Sequence, residues 1–333
     1  MPTDRNQALD FLESQWSPRN LNKIKGVAAE IRFERHLRSP HLVNQFQYIV
    51  PGGWIFTPTT NAFANPVTAG RVAVLTVPTS FSWTIGLNAP PIHALSLAQA
   101  YFNQVGIPTY FSKFDTGGNT LIESSFNIPC SPNYPVPYLL DFFQIIGSGL
   151  TSISLNNGMS AFKPKTTRSG NFGYTVRRIY RHNPIWKDTA VITSLFWKEY
   201  TRYFIKTKFS GGAADLDFFI VGNSGRAFPV EFKSKSVVID SNYGDWFGID
   251  FAPFAKLSFF VSLSLNMEAI YFVEEVDILG LPIAYWGIKF TELLKCCDWV
   301  NGAGGENMSG GASSTVKIPK VKFQSLPSLL SSL

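Results

Sequence analysis

Four side chains in one short stretch could do chemistry together: Asp215, Asp217, Glu231 and Lys233. Residues two apart on a strand share a face, so Glu231 and Lys233 project the same way, as do Asp215 and Asp217. The GNSG run from Gly222 to Gly225 is a tight turn that can fold one strand back beside the other. An Asp and a Glu then converge from neighbouring strands with a Lys alongside. Phe218, Ile220, Val230 and Phe232 would occupy the opposite face and pack against the core. Gathering buried carboxylates is costly unless a cation neutralises them. Hard oxygen ligands suit Mg²⁺, which keeps several waters and takes one or two carboxylates plus substrate phosphate. Such an ion stabilises a leaving oxygen and lowers the pKa of a bound water. Lys233 would orient that water or balance charge on a pentavalent phosphate. This is phosphodiester hydrolysis chemistry. The same side chains could also form ordinary ion pairs on a surface hairpin.

The elements around the hairpin must position it. LDFFIV reads as a buried strand and RAFPVEFKSKS as a second one, followed by a helix over about 253–266 and a further strand, EAIYFVEEV. Residues 1–50 read as an N-terminal helical segment, with Leu21, Ile24, Ala28, Ile31 and Leu37 near helical spacing and Pro40 ending the pattern. Residues 51–160 hold only five charged residues (Arg71, Lys113, Asp115, Glu123 and Asp141), with Pro, Gly, Asn, Ser and Thr between apolar runs such as RVAVLTV and SFSWTIGL. That predicts short strands joined by turns, with a helix near 94–104, serving recognition or dimerisation. Residues 161–300 would form the catalytic core with a basic segment at its start, and residues 301–333 a flexible linker, NGAGGENMSGGASS, with a C-terminal tail, TVKIPKVKF, that reads as a last strand or an arm.

The basic segment spans residues 161–208. It carries Lys163, Lys165, Arg168, Arg177, Arg178, Arg181, Lys187, Lys198, Arg202, Lys206 and Lys208 against only Asp188 and Glu199, and Tyr174, Tyr180, Trp186, Trp197 and Tyr203 are interleaved. This local excess of positive charge exceeds the +6 of the whole chain. Basic side chains with aromatics between them suit a phosphate backbone, although a solvated amphipathic helix reads the same way. Lys235, just beyond the Glu-x-Lys run, joins the candidate DNA contacts.

The stretch DLDFFIVGNSGRAFPVEFKSK, with Asp217-x13-Glu231-Phe232-Lys233, resembles the PD-(D/E)xK nuclease superfamily, which includes most type II restriction endonucleases. The order of helix, Asp strand, Glu-x-Lys strand, helix and strand is similar too. The Pro of the family's name is absent before either Asp. The resemblance implies that Asp217, Glu231 and Lys233 form the metal-binding and catalytic core, with Asp215 the rival of Asp217. Many members carry a further Glu on a preceding helix. Glu199, in SLFWKEYTRYF, lies where that arrangement expects it; Glu30, in NKIKGVAAEIRFERHL, is its rival and would require residues 51–160 to be an insertion. Each could instead pair on its helix with Arg202 or Arg35.

The fold class this implies is α/β (α+β mixed), a central mixed β-sheet flanked by helices, with a restriction-endonuclease-like core and a β-rich elaboration. The function implied is a Mg²⁺-dependent endonuclease acting on double-stranded DNA, in particular a type II restriction enzyme with one or two Mg²⁺ per site. A homodimer cutting a short palindrome follows from matching two-fold symmetry. The alternatives are a repair, recombination or other defence nuclease of the same superfamily, and a non-catalytic nucleic-acid-binding or structural β-rich protein.

Other chemistry is excluded by what the chain lacks. There is no GxxxxGK[ST] loop, hence no expectation of a nucleotide cofactor, and no GxSxG, HExxH or EF-hand pattern. His36, His41, His93 and His182 are scattered, and Cys130, Cys296 and Cys297 offer no zinc spacing. The odd cysteine count suits a reducing cytosol. The acidic start, MPTDRNQALDFLESQW, is unlike a signal peptide, and the longest apolar run, Leu257 to Val273, is broken by Ser262, Ser264, Asn266 and Glu268. A cytoplasmic protein with no membrane partner is expected.

Overall fold

The computed structural model describes residues 21–58, 70–76, 92–114, 140–147, 149–163, 187–262, 266–298, 302–303 and 314–333, together with Leu9, Leu12 and Gln15. Among these residues the chain is mixed α/β, with thirteen strands, seven α-helices and a large mixed sheet. No helix among them is long and apolar enough to cross a membrane. The chain divides into two compact units, residues 1–31 with 51–216 and residues 32–50 with 217–333. In sequence, residues 51–216 are thus an insertion between two parts of the second unit.

In the first unit, β1 (Phe46–Pro58, from Pro51 onward), β2 (Val72–Thr76), β3 (Thr109–Phe114), β4 (Leu140–Ile146) and β5 (Gly149–Ile153) lie side by side in that order. All neighbours are antiparallel except β2 and β3, which are parallel. Helix α1 (Leu21–Leu37) stops ahead of Pro40 and passes from this unit into the second. Parallel strands need a crossover, supplied here by α2 (Ile92–Gln104), close to where the sequence places a helix. The apolar run SFSWTIGL lies outside the described residues. After the single-turn α3 (Leu155–Gly158) comes α4 (Thr189–Lys208), which buries Ile192, Phe196, Tyr200 and Phe204 at four-residue spacing. That stripe packs in one core with Trp54, Phe56, Val74 and Phe142 from the strands.

The second unit carries β6 (Gly211–Gly222, from Asp217 onward), β7 (Ala227–Lys235), β9 (Ile270–Val276), β10 (Pro282–Lys289) and β13 (Gln324–Ser325), in the spatial order β13-β10-β9-β7-β6. Strands β6 and β7 form an antiparallel hairpin. Its turn closes through Gly225 N–H donating to the Gly222 carbonyl at 2.9 Å. Gly225 has φ +76°, the left-handed conformation glycine adopts without steric cost. Strands β7 and β9 are parallel, and α5 (Phe251–Ser262) makes the crossover between them.

A strand that the sequence reading did not assign, β8 (Trp246–Asp250), precedes α5. It pairs with β12 (Ser314–Pro319), a strand in the tail that the sequence reads as a last strand or an arm, and β12 pairs with β11 (Gly302–Ala303). Helices α6 (Phe290–Cys296) and α7 (Leu326–Leu330) complete the unit.

Even-numbered residues of the hairpin pack against α1, while odd-numbered Phe219 and Val221 are buried on the other face. Phe33 stacks on Phe232 with ring centroids 4.6 Å apart and packs against Phe272 at 5.0 Å and Phe218 at 6.1 Å. All four rings are buried. Burying each side chain contributes on the order of 2 kcal/mol, and that fixes which face of the hairpin lies against α1. The odd-numbered residues, Glu231 and Lys233 among them, therefore emerge on the other face.

Candidate functional site

The register of the hairpin runs from Val221↔Ala227 to Phe218↔Val230, and Asp217 and Glu231 are the next residues on the two strands beyond the last pair. Directly opposed residues of an antiparallel pair project to the same face, so the two carboxylates share one side of the sheet. Both are buried, at 7% and 3% exposure. Asp217 Oδ2 accepts a hydrogen bond from the main-chain N–H of Phe232 at 2.8 Å. The carboxylate of one strand thus grips the backbone between Glu231 and Lys233 of the other.

Glu231 is held by two cations. Lys233 Nζ lies 2.6 Å from Oε1, as the two-residue spacing along β7 allows, and Lys256 Nζ lies 2.6 Å from Oε2. Lys233 also donates to the Phe232 carbonyl at 3.1 Å. Burial by itself would push the Glu231 carboxyl up, but the two ammonium groups overcome it and hold the carboxyl down at about 2. Glu231 is therefore a carboxylate throughout the physiological range.

The next layer closes the site from the neighbouring elements. Tyr271, which pairs with Glu231 across the parallel β7–β9 ladder, is fully buried and donates its hydroxyl to the Gly248 carbonyl at 2.8 Å. Burial pushes its phenol well above the ordinary range, so it stays neutral. Lys235, two residues beyond Lys233, sits 3.6 Å from Asp250. Burial pulls the Lys235 ammonium down, Asp250 opposes this, and Lys233 adds to it.

The structure brings Asp217, Glu231 and Lys233 together. The rival Asp215 belongs to the first unit, where its carboxylate lies 2.8 Å from Lys198. Glu199 is also in the first unit, buried at 4% exposure, with its Oε2 accepting from Arg202 Nε at 2.8 Å. Glu30 is half-buried on α1, in the same unit.

Several of the candidate DNA contacts are engaged within the protein. Lys198, besides pairing with Asp215, lies 5.8 Å from the Trp54 ring, and Arg202 lies 5.1 Å from it. Lys208 is exposed with its ammonium 4.4 Å from the Phe204 ring; Lys163 and Lys187 are exposed and Lys206 is half-buried. Lys165, Arg168, Arg177, Arg178 and Arg181 lie outside the described residues.

Lys256 was not among the residues the sequence singled out. Its signal was present: it is the one charged residue in α5, FAPFAKLSFFVS. A lone lysine in an apolar helix needs a carboxylate or a ligand nearby if its head is to leave water.

The donor set fits a hard divalent cation. Two buried carboxylates converge on one face, and both oxygens of Glu231 already sit against positive charge. Among the described residues no three His, Cys, Asp or Glu side chains gather as a full protein cage. Two carboxylates are nonetheless what Mg²⁺ takes when water and substrate phosphate complete its shell. No protein-family model, no curated protein and no solved structure matches the chain.

Proposed function

We propose that the chain is a Mg²⁺-dependent endonuclease that hydrolyses phosphodiester bonds in double-stranded DNA, built on a PD-(D/E)xK-like core, and that it acts as a type II restriction enzyme, as a homodimer on a short palindrome. The observation that carries this reading is that buried Asp217 accepts the Phe232 N–H of the Glu231-Phe232-Lys233 run at 2.8 Å while Lys233 lies 2.6 Å from Glu231. Asp217 and Glu231 would hold the metal, whose chemistry is to polarise the phosphate and lower the pKa of a bound water. Lys233 would hold the attacking water and balance charge as it adds to phosphorus. Asp217 fixes the backbone of the Glu-x-Lys run through Phe232, so the carboxylates and the ammonium keep their spacing.

The test is digestion of unmethylated phage and plasmid DNA with Mg²⁺ or with EDTA, using the wild type and Lys233→Ala. Discrete Mg²⁺-dependent bands, absent with the variant, are expected. A metal-dependent smear would instead favour a nuclease that cuts by structure or without sequence preference. The same cluster also supports a second reading, a non-catalytic nucleic-acid-binding protein, because Lys233 and Lys256 neutralise Glu231 without any metal. DNA binding indifferent to EDTA, with no cleavage by either protein, would favour that reading.

A further inference from the structure

The two oxygens of Glu231 are each in contact with a different ammonium at 2.6 Å, and the two lysines are not equivalent. Lys233 stands two residues from Glu231 on the same strand and holds the Phe232 carbonyl as well. Lys256 reaches the carboxylate from a separate element, α5, on a flexible four-carbon stem. A divalent cation arriving at Glu231 meets two like charges close by, and one must withdraw for the carboxylate to ligate. Lys233 and Glu231 share one strand, so their spacing is fixed by the backbone, whereas Lys256 comes from a helix and its reach to Glu231 is set by its own side-chain torsions. Removing one partner of a buried ion pair costs stability, but Lys233 still pairs with Glu231 when Lys256 is replaced.

We propose that Lys256 is a phosphate-binding residue of this site, parked on Glu231 in the free protein and released to a phosphate of the bound DNA strand when a divalent cation takes Glu231. A phosphate drawn to the cation brings fresh negative charge to the place the ammonium vacates, and a lysine head with three donors suits it. The inference rests on the reading of the site as a metal-dependent nuclease.

The experiment uses the full chain as wild type, Lys256→Met and Lys256→Arg. Mn²⁺ binding is followed by the electron paramagnetic resonance of the free ion, without DNA. Duplex binding is followed against salt concentration, in Ca²⁺ and in EDTA. Lys256→Met should bind Mn²⁺ about tenfold more tightly, because a competing positive charge is gone. Its slope of log affinity against log salt should be smaller by about 0.9 in Ca²⁺, since one phosphate fewer is neutralised by the protein, and unchanged in EDTA. Lys256→Arg should keep both wild-type values. Equal Mn²⁺ affinity and equal slopes in wild type and Lys256→Met would overturn the proposal and leave Lys256 a structural counter-ion. Should Lys256→Met not fold, as a thermal melt would show, Lys256→Gln carries the same two expectations. The two failures are separable. A wild type that cuts DNA and binds Mn²⁺ but is matched by the Met variant sinks this inference alone, whereas a wild type that does neither sinks the nuclease reading and this proposal with it.

Discussion

Asp217 accepts the main-chain N–H of Phe232 at 2.8 Å, so the carboxylate assigned to the metal also fastens β6 to β7. The two duties can be separated by substitution. Asp217→Asn keeps an oxygen acceptor in the same place, whereas Asp217→Ala leaves a buried amide without a partner, at a cost of about 1–3 kcal/mol. The Asn variant is expected to melt near the wild type and to lose Mn²⁺ binding. The Ala variant should lose both. Calorimetric melts beside Mn²⁺ titrations check this. An Asn variant that binds Mn²⁺ as well as the wild type would remove Asp217 from the metal site.

Glu231 gives a pH prediction whose sign follows from its neighbours. Lys233 and Lys256 hold its folded carboxyl at about 2, below the ordinary 4.5, so the unfolded chain takes up the proton first as pH falls. The stability this supplies is complete above about pH 4.5 and is lost as pH falls toward 2. Acid titrations of unfolding should show that loss in the wild type, and the segment belonging to Glu231 should vanish in Glu231→Gln. At neutral pH the Gln variant should also be less stable, by about 3 kcal/mol, because two partly buried ammonium groups lose their carboxylate. Any fall in cleavage between about pH 5 and pH 7 must then come from another group.

What the sequence made legible was local. Glu231 and Lys233 meet because strand residues two apart share a face, and Asp217 reaches them because a short turn fixes an antiparallel register. The pairing of Glu199 with Arg202 likewise follows from helical spacing. Lys256 was beyond such reasoning, because its place depends on how the α5 crossover lies over the sheet rather than on any repeat. The division into units was hidden in part. The seam at Pro51 does fall where the charge-poor stretch begins, but helix α1 runs unbroken through the boundary at Ile31 and β6 through the one after Leu216, with nothing in the sequence to mark either. Strand β8 escaped because its partner β12 lies far along the chain, beyond a low-complexity stretch. The parity of Phe218 and Phe232 did declare which face lies against α1, but not that the other face is covered too, since Phe219 and Val221 are equally buried. Phe218 and Phe232 both pack on Phe33, which needs only the period of two and one helix to cover it.

Glu199 offers the last test, since its position on a helix before β6 suits a metal-supporting role and its contacts suit a structural one. Its carboxylate is buried, lies 2.8 Å from the Arg202 guanidinium, and Arg202 in turn reaches Gln15 at 3.3 Å and covers the Trp54 ring. Removing the carboxylate would strand a partly buried guanidinium, and Arg202 keeps enough exposure to water that the cost should be about 1–3 kcal/mol rather than the full penalty of a buried charge. Glu199→Gln is therefore expected to lower the melting temperature, and Glu199→Gln with Arg202→Met to recover part of that loss, because the stranded charge goes too. Mn²⁺ affinity should be the same in the wild type and Glu199→Gln. A weaker Mn²⁺ affinity in a Glu199→Gln variant that melts like the wild type would reverse the assignment, making Glu199 a support of the metal and its Arg202 pair incidental.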